Sequence, residues 1–255
     1  MFLAKIPPPI QRRVSRWFGR RPNWVKPKLP LISFTFDDFP RSALSVGGVI
    51  LHERGLHGTY YASFGLMGKK APTGEMFRRE DLHEVIQRGH ELACHTFDHC
   101  DSWETDPDEF EASIVRNQQA VAEQVPGLRL TSFSYPISCP RPESKRRVAA
   151  HFECARGGGQ TFNVGVVDAN YLKSFFIEQS RDKFDAIRQT IDANVRATGW
   201  LIFVTHDVCD APTRFGCTPV LFQRVVEHSI KSGALVLPVH AAFQQVRRPV
   251  NDLSL

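Results

Sequence analysis

The stretch "LISFTFDDFP" occupies residues 31–40. An apolar run through Ile32, Phe34 and Phe36 reads as a buried strand, and it stops at two adjacent carboxylates, Asp37 and Asp38, followed by Phe39 and Pro40. Like charges side by side raise each other's pKa and add nothing to a core. A cap for the helix that starts near Ser42 accounts for one acid, not two. A strand ending in this way carries its acids to a place where they are used.

Further apolar runs recur along the chain. Strands are expected at 31–36, 58–63, 91–94, 130–135, 151–155, 174–177, 200–205 and 234–237, and "WLIFVT" at 200–205 is the plainest of them. Most are apolar on both faces, as strands of a covered parallel sheet are. Helical spacing falls between them, at 41–54, 79–88, 107–125, 143–150, 181–197 and 219–232. Asp106 and Pro107 form a cap and first-turn pair, while Gly55, Gly89, Gly199 and Gly233 sit just past helix ends. About seven or eight β–α units in ~225 residues imply a parallel α/β barrel, with a doubly wound open sheet as the other arrangement. Chemistry in such barrels gathers at the carboxyl ends of the strands, which is where Asp37 and Asp38 stand.

The chain has 255 residues, 42% of them hydrophobic and 23% charged, which suits a globular body rather than disorder. Its net charge of +5 is unevenly placed. Residues 1–30 hold eight basic side chains and no acid, whereas the remainder holds 24 bases against 27 acids. The chain therefore divides into a basic N-terminal arm, 1–30, and a slightly acidic body, 31–255, which offers no nucleic-acid surface. In the arm, "IQRRVSRWFGRR" sets Ile10, Val14, Trp17 and Phe18 among arginines, so contact with an anionic membrane surface is one expectation and packing on the barrel the other. The six cysteines have irregular spacing and no CxxC, and read as thiols of a reducing compartment. Lys5 and three prolines break the first apolar stretch, and no run nears the ~20 residues of a membrane span. Cytoplasmic residence is the expectation.

Three other strand ends carry polar groups: "HTFDHCD" after 91–94, "YPISCPRP" after 130–135 and "HDVCD" after 200–205. His95 and His99 are four apart, so one helical turn would set both imidazoles on one side, a spacing that suits two ligands of one metal ion. A carboxylate from a second strand end would complete a facial set that leaves positions open for water and substrate. One aspartate of the pair can then bind metal while its neighbour serves as a base toward water; the residues alone leave open which does which. His206, ending the most apolar strand, is placed to act as a general acid.

Together "TFDD", "HTFDH" and "FVTHD" resemble three motifs of the NodB homology domain, the polysaccharide deacetylases or family 4 carbohydrate esterases. The resemblance spans residues 31–207 and implies a distorted (β/α) barrel of about seven strands that removes N-acetyl groups from sugars with the help of one divalent ion, zinc or cobalt. On the same ground Asp37 corresponds to the catalytic base, Asp38, His95 and His99 to the metal ligands, His206 to the catalytic acid and Thr96 to a residue that ties the loop. The proline-aromatic motif falls on "FSYPIS", where the Ile137 N–H would help hold an oxyanion, with Tyr135 and Phe39 beside it as substrate-contacting candidates.

The chain also departs from the family pattern. Phe39 replaces the usual glycine and is expected to crowd or line the mouth, and Ser134 replaces the arginine that supports the base. Arg141 is a candidate substitute for that arginine, and Asp168 and Asp210 are candidates for the acid that tunes the catalytic histidine. "RGGGQ" at 156–160 lacks the Lys-Ser/Thr ending of a phosphate loop and reads as a turn. Three functions follow: a metal-dependent deacetylase of an amino sugar or glycan, the same site acting on a small non-sugar amide, or an inactive barrel that binds glycan.

Overall fold

A computed structural model describes residues 6–137 and 139–247; Lys5 of the basic arm and Ser138 of "FSYPIS" lie outside them. The body is a curled parallel sheet. The quoted stretch forms its central strand, Leu31–Phe36, wholly buried. Numbered along the chain after helix α1 (Pro8–Trp17) and strand β1 (Pro22–Val25), this is β2. The other sheet members are β3 (Thr59–Ala62), β6 (Glu91–Cys94), β7 (Ser132–Ser134), β8 (Cys154–Arg156), β10 (Phe175–Phe176), β11 (Trp200–Thr205) and β12 (Leu235–Val236). Hydrogen bonding runs β10-β11-β2-β3-β6-β7-β8, seven strands on one path, and β12 pairs with the lower half of β2. This is the distorted NodB-like barrel expected from the sequence. The segment 169–174 closes the gap between its ends, through Ala155 N–H to Ala169 C=O and Gly157 N–H to Leu172 C=O.

Helices α3 (Arg79–Gln87), α4 (Pro107–Gln124), α5 (Pro142–His151), α6 (Phe184–Ala197) and α7 (Pro219–Lys231) fall where the periodicity places them, and α8 (Val239–Val246) follows β12. The helix expected over 41–54 is instead a π-type turn, Ala43–Gly48, running into a short α2, Val49–His52. Gly47 explains the wider turn. A Cβ there would stand 2.9 Å from the Phe36 ring, so the chain passes the strand at backbone distance. Inside, Phe34 stacks on Phe203 at 5.5 Å and Phe36 on Tyr60 at 4.7 Å.

The basic segment is fastened to the body. Strand β1 pairs antiparallel with β9 (Gly165–Asp168), from Pro22 opposite Asp168 to Val25 opposite Gly165. The fully buried Lys145 of α5 donates to the Ser15 and Phe18 carbonyls of the α1 region at 2.8 and 2.9 Å, and to Asp168 at 2.5 Å. Arg21 donates its N–H to the other Asp168 oxygen at 2.9 Å. The charge boundary at residue 30 is thus not a packing boundary, because backbone carbonyls and one buried aspartate absorb the ammonium charge that links the two parts.

Candidate metal and catalytic site

The parallel register sets the stage. Thr205 of β11 lies opposite Phe36 of β2, and the Asp37 N–H continues the ladder to the Thr205 carbonyl at 3.1 Å. The residues that follow, Asp37 and His206, leave adjacent strands side by side. The backbone then turns left-handed at Asp38 (φ 62°) and Phe39 (φ 61°), a region that non-glycine residues seldom occupy. The turn sends Asp38 into the site and Phe39 away from it. Phe39 does not line the mouth as expected: it is fully buried and stacks on Phe77 at 4.9 Å.

His95 and His99 meet, but not on a helix. Residues 95–100 form an irregular loop in which Thr96 (φ 59°) and His99 (φ 55°) are both left-handed. Thr96 Oγ1 accepts the Cys100 N–H at 3.1 Å and ties the loop, the part the resemblance assigns it. The two imidazole centroids stand 5.1 Å apart. With Asp38 they form a set whose ligand atoms all lie within 4.8 Å of one another.

The atoms of this set fit a cation. Asp38 Oδ1 is buried and accepts no hydrogen bond of sound geometry, although His99 Nε2 stands 3.0 Å and His95 Nε2 3.4 Å from it. His95 Nδ1 lies 2.8 Å from the Ser134 carbonyl, which can only accept, so Nδ1 carries the proton and Nε2 turns a lone pair toward the carboxylate. A lone pair facing a carboxylate in a buried place is repulsive unless a positive ion lies between them. Thr73, 3% exposed, donates its hydroxyl to the other oxygen, Oδ2, at 2.9 Å and so turns Oδ1 toward the histidines. Thr73 belongs to a small hairpin, β4 (Lys70–Ala71) and β5 (Gly74–Glu75), that the apolar pattern does not reveal. Burial opposes ionisation of Asp38, yet positive charge at the two histidines, carried as protons where no ion is bound, holds its carboxyl far below the usual carboxylate range.

Asp37 has a different shell. Burial alone would raise its pKa, but the Arg156 guanidinium, with His95 and His206, brings it below the ordinary value. Arg156 is 1% exposed, pairs with Asp37 Oδ1, and lies over the Tyr61 ring at 4.4 Å. It supplies the cation missing at Ser134, and it comes from the first residue of "RGGGQ" at the end of β8. The expected substitute, Arg141, does not reach the acids: it precedes α5, its N–H bonds Ser102 at 3.0 Å, and its guanidinium stands 3.9 Å from Glu143. Among the described residues Asp37 Oδ2 has only a long 3.4 Å contact from the Ser134 hydroxyl, which leaves it open to a proton.

His206 Nδ1 bonds the Phe215 carbonyl at 3.1 Å, which leaves Nε2 for chemistry. Neither acid expected to tune it is placed to do so. Asp168 is committed to Lys145 and Arg21, and Asp210 is exposed. Asp207 instead shapes the loop that carries Phe215, accepting the Thr213 N–H at 2.7 Å and its hydroxyl at 2.6 Å. Ile137, the expected oxyanion donor, is left-handed (φ 64°) with its side chain exposed. Tyr135 does not contact the mouth. Its ring packs 5.0 Å from Phe133, and its hydroxyl is buried without a partner. Glu178, in the turn after β10, also has a buried, unpartnered carboxyl oxygen, and burial, reinforced by the charge of Asp37, pushes its pKa up to about 8.

A curled parallel sheet that gathers an aspartate and two histidines at the carboxyl ends of its strands defines a NodB-like barrel. Residues 25–154, half of the chain, match the polysaccharide deacetylase family, and the chain belongs to it. No curated protein matches by sequence. Among solved structures, the fold resembles a chitin deacetylase from the fungal pathogen Colletotrichum lindemuthianum, at 13% identity and TM-score 0.61 over 86% of this chain and 89% of that one. It also resembles a family 4 carbohydrate esterase from Streptomyces lividans in complex with acetate, at 17% identity and TM-score 0.57 over 86% and 96%. A family 4 pseudoenzyme from Bacillus anthracis has a similar fold too, at 12% identity and TM-score 0.59 over 87% and 68%. At such identities the likeness carries the fold alone.

Proposed function

We propose that this chain is a metal-dependent deacetylase that hydrolyses the N-acetyl group of an amino sugar, oligosaccharide or polysaccharide. The observation that supports it most is the unsatisfied Asp38 oxygen facing two imidazole nitrogens, next to an aspartate held ionised by a buried arginine. Asp38, His95 and His99 would hold one divalent ion, zinc first and cobalt second by the nitrogen and oxygen character of the set. Such an ion supplies Lewis acidity at the amide carbonyl and acidifies water. Asp37 takes a proton from the attacking water through Oδ2, while Arg156 fixes its other oxygen and so its aim. The Ile137 N–H offers a hydrogen bond to the carbonyl oxygen as it gains charge. His206, oriented through Nδ1 by Phe215, hands a proton from Nε2 to the departing amine.

The test is acetate release from a panel of N-acetylated oligosaccharides by metal-free protein, with and without added zinc or cobalt. Metal-dependent release supports the reading. Release from small non-sugar amides alone would move the substrate class. Glycan binding with no release from anything would make the chain an inactive binder.

A further inference from the structure

Helix α1 is only half used by the fold. Its inner side is spent on the body: Ser15 is fully buried, and Lys145 holds the Ser15 and Phe18 carbonyls. The outer side has no partner among the described residues. Ile10, Arg13 and Trp17 recur there at helical spacing, Trp17 is 61% exposed and Phe18 beyond it 59%. Arg12, Arg16 and Arg20 are exposed on the flank, with the Arg16 guanidinium 5.9 Å from the Trp17 ring centre. Large apolar side chains next to guanidiniums are unusual on a surface that only meets water.

The helix also has a defined place relative to the site. Gly19, left-handed at φ +63°, passes so close to α5 that a Cβ would stand 2.7 Å from the Pro142 carbonyl. Pro142 opens α5 just after β7, on the strand-end face that carries the site. Arg12 stands near enough to Cys139 and Tyr171 for its charge to act on both, and Cys139 lies in the segment between β7 and α5 that follows a strand of the site-bearing sheet.

We propose that α1 docks the site-bearing face of this protein on an anionic lipid bilayer, with Ile10, Trp17 and Phe18 entering the interface and Arg12, Arg13 and Arg16 meeting lipid headgroups. Charge complementarity selects the occupant. Residues 1–30 hold eight bases and no acid, while the rest of the chain is net negative, so an anionic surface draws this segment rather than the body as a whole. A soluble polyanion would use the arginines but would leave three apolar side chains in water. A site held this way meets N-acetylated sugars carried on the membrane; that consequence rests on the deacetylase reading, whereas the docking does not.

The experiment is co-sedimentation of the full chain with vesicles of phosphatidylcholine alone or with about one-third phosphatidylglycerol, at physiological salt. The expected result is recovery with the anionic vesicles only. Replacing Arg12, Arg13 and Arg16 by Gln should lower partitioning by on the order of a hundredfold, since each surface cation contributes several-fold. The double variant Ile10→Ser, Trp17→Ser should lower it by on the order of tenfold or more with the charges intact. Both variants should keep the wild-type unfolding midpoint, because neither touches the inner side of the helix. Three results would each overturn the proposal: equal recovery with both vesicles, unchanged binding by the double variant, or retention on heparin without binding to vesicles. Loss of docking with metal binding and acetate release intact leaves the deacetylase reading standing, and the reverse leaves the docking standing.

Discussion

Two carboxylates in this molecule are paired with a buried cation, and they are built to opposite ends. Asp168 is saturated. One oxygen takes the Arg21 and Asn170 N–H groups at 2.9 and 3.0 Å, the other takes Lys145, and Lys145 places its two remaining hydrogens on carbonyls. Asp37 is equally hidden and paired with Arg156, but among the described residues its second oxygen has only a long contact from Ser134, and the Arg156 Nε–H is itself unpaired there. Burial and ion pairing are common to both. What separates a fastening from a reactive group is the hydrogen-bonding capacity left unspent, and Asp38 next door repeats the pattern at Oδ1.

The sharpest way to test that contrast is Asp37→Asn. It should lower turnover per folded molecule by a factor of about 10²–10⁴, the usual worth of a positioned base, while leaving metal content near wild type; stability falls too, because the buried Arg156 loses its counter-charge. Loss of metal instead would exchange the roles of the two neighbouring aspartates. Lys145→Met breaks the saturated pair and should do the reverse. Denaturant titration is expected to show a loss of about 3–5 kcal/mol, because an uncompensated carboxylate is left buried, with turnover per folded molecule unchanged.

A smaller effect should appear at Thr73. Its hydroxyl aims Asp38, so Thr73→Ala should weaken zinc binding to the metal-free protein by about 10–100-fold by calorimetry, and Thr73→Ser should restore it. Equal affinities would mean that the histidines alone place the carboxylate. Glu178 gives a probe that leaves the metal set untouched, a half-buried acid with an unspent oxygen and a pKa near 8. Between its unfolded value of 4.5 and about 8 the native state keeps a proton that the unfolded chain releases. Folding stability therefore falls as pH rises through that window, by up to about 1.4 kcal/mol per pH unit. Glu178→Gln should flatten this slope, and an unchanged slope would show that the carboxyl is solvated.

The saturated and unsaturated groups were not equally legible in the sequence. Continuous apolar runs located β2, β6 and β11 residue for residue, because a strand covered on both faces needs no distant partner to be recognised. The polar groups that follow those strands pointed to His95, His99 and one of two aspartates, and only the family resemblance made that aspartate Asp38. Arg156 escaped because three glycines after it suggested a mere turn, although a lone arginine ending a buried strand poses the same question as two aspartates do. Phe39 was expected at the mouth because it stands where the family has glycine, but two successive left-handed residues turn its side chain into the core. Strands β1 and β9 and the Thr73 contact depend on pairings between remote segments that no local pattern records. The fastening of Lys145 to α1 is hidden for the same reason.

The clasp formed by β1 and β9 has a consequence in time. Arg21 bonds Asp168, 147 residues away, and Asn23 donates to the Val246 carbonyl, 223 residues away, at 3.0 Å. On a ribosome this segment must therefore wait for partners that are made well over a hundred residues later. At ~5–20 residues per second, tens of seconds pass before α1 and β1 have anywhere to dock. During that interval the growing barrel can collapse on β2, β3 and β6, while the basic helix remains outside it, and closure of the clasp becomes a late event in assembly.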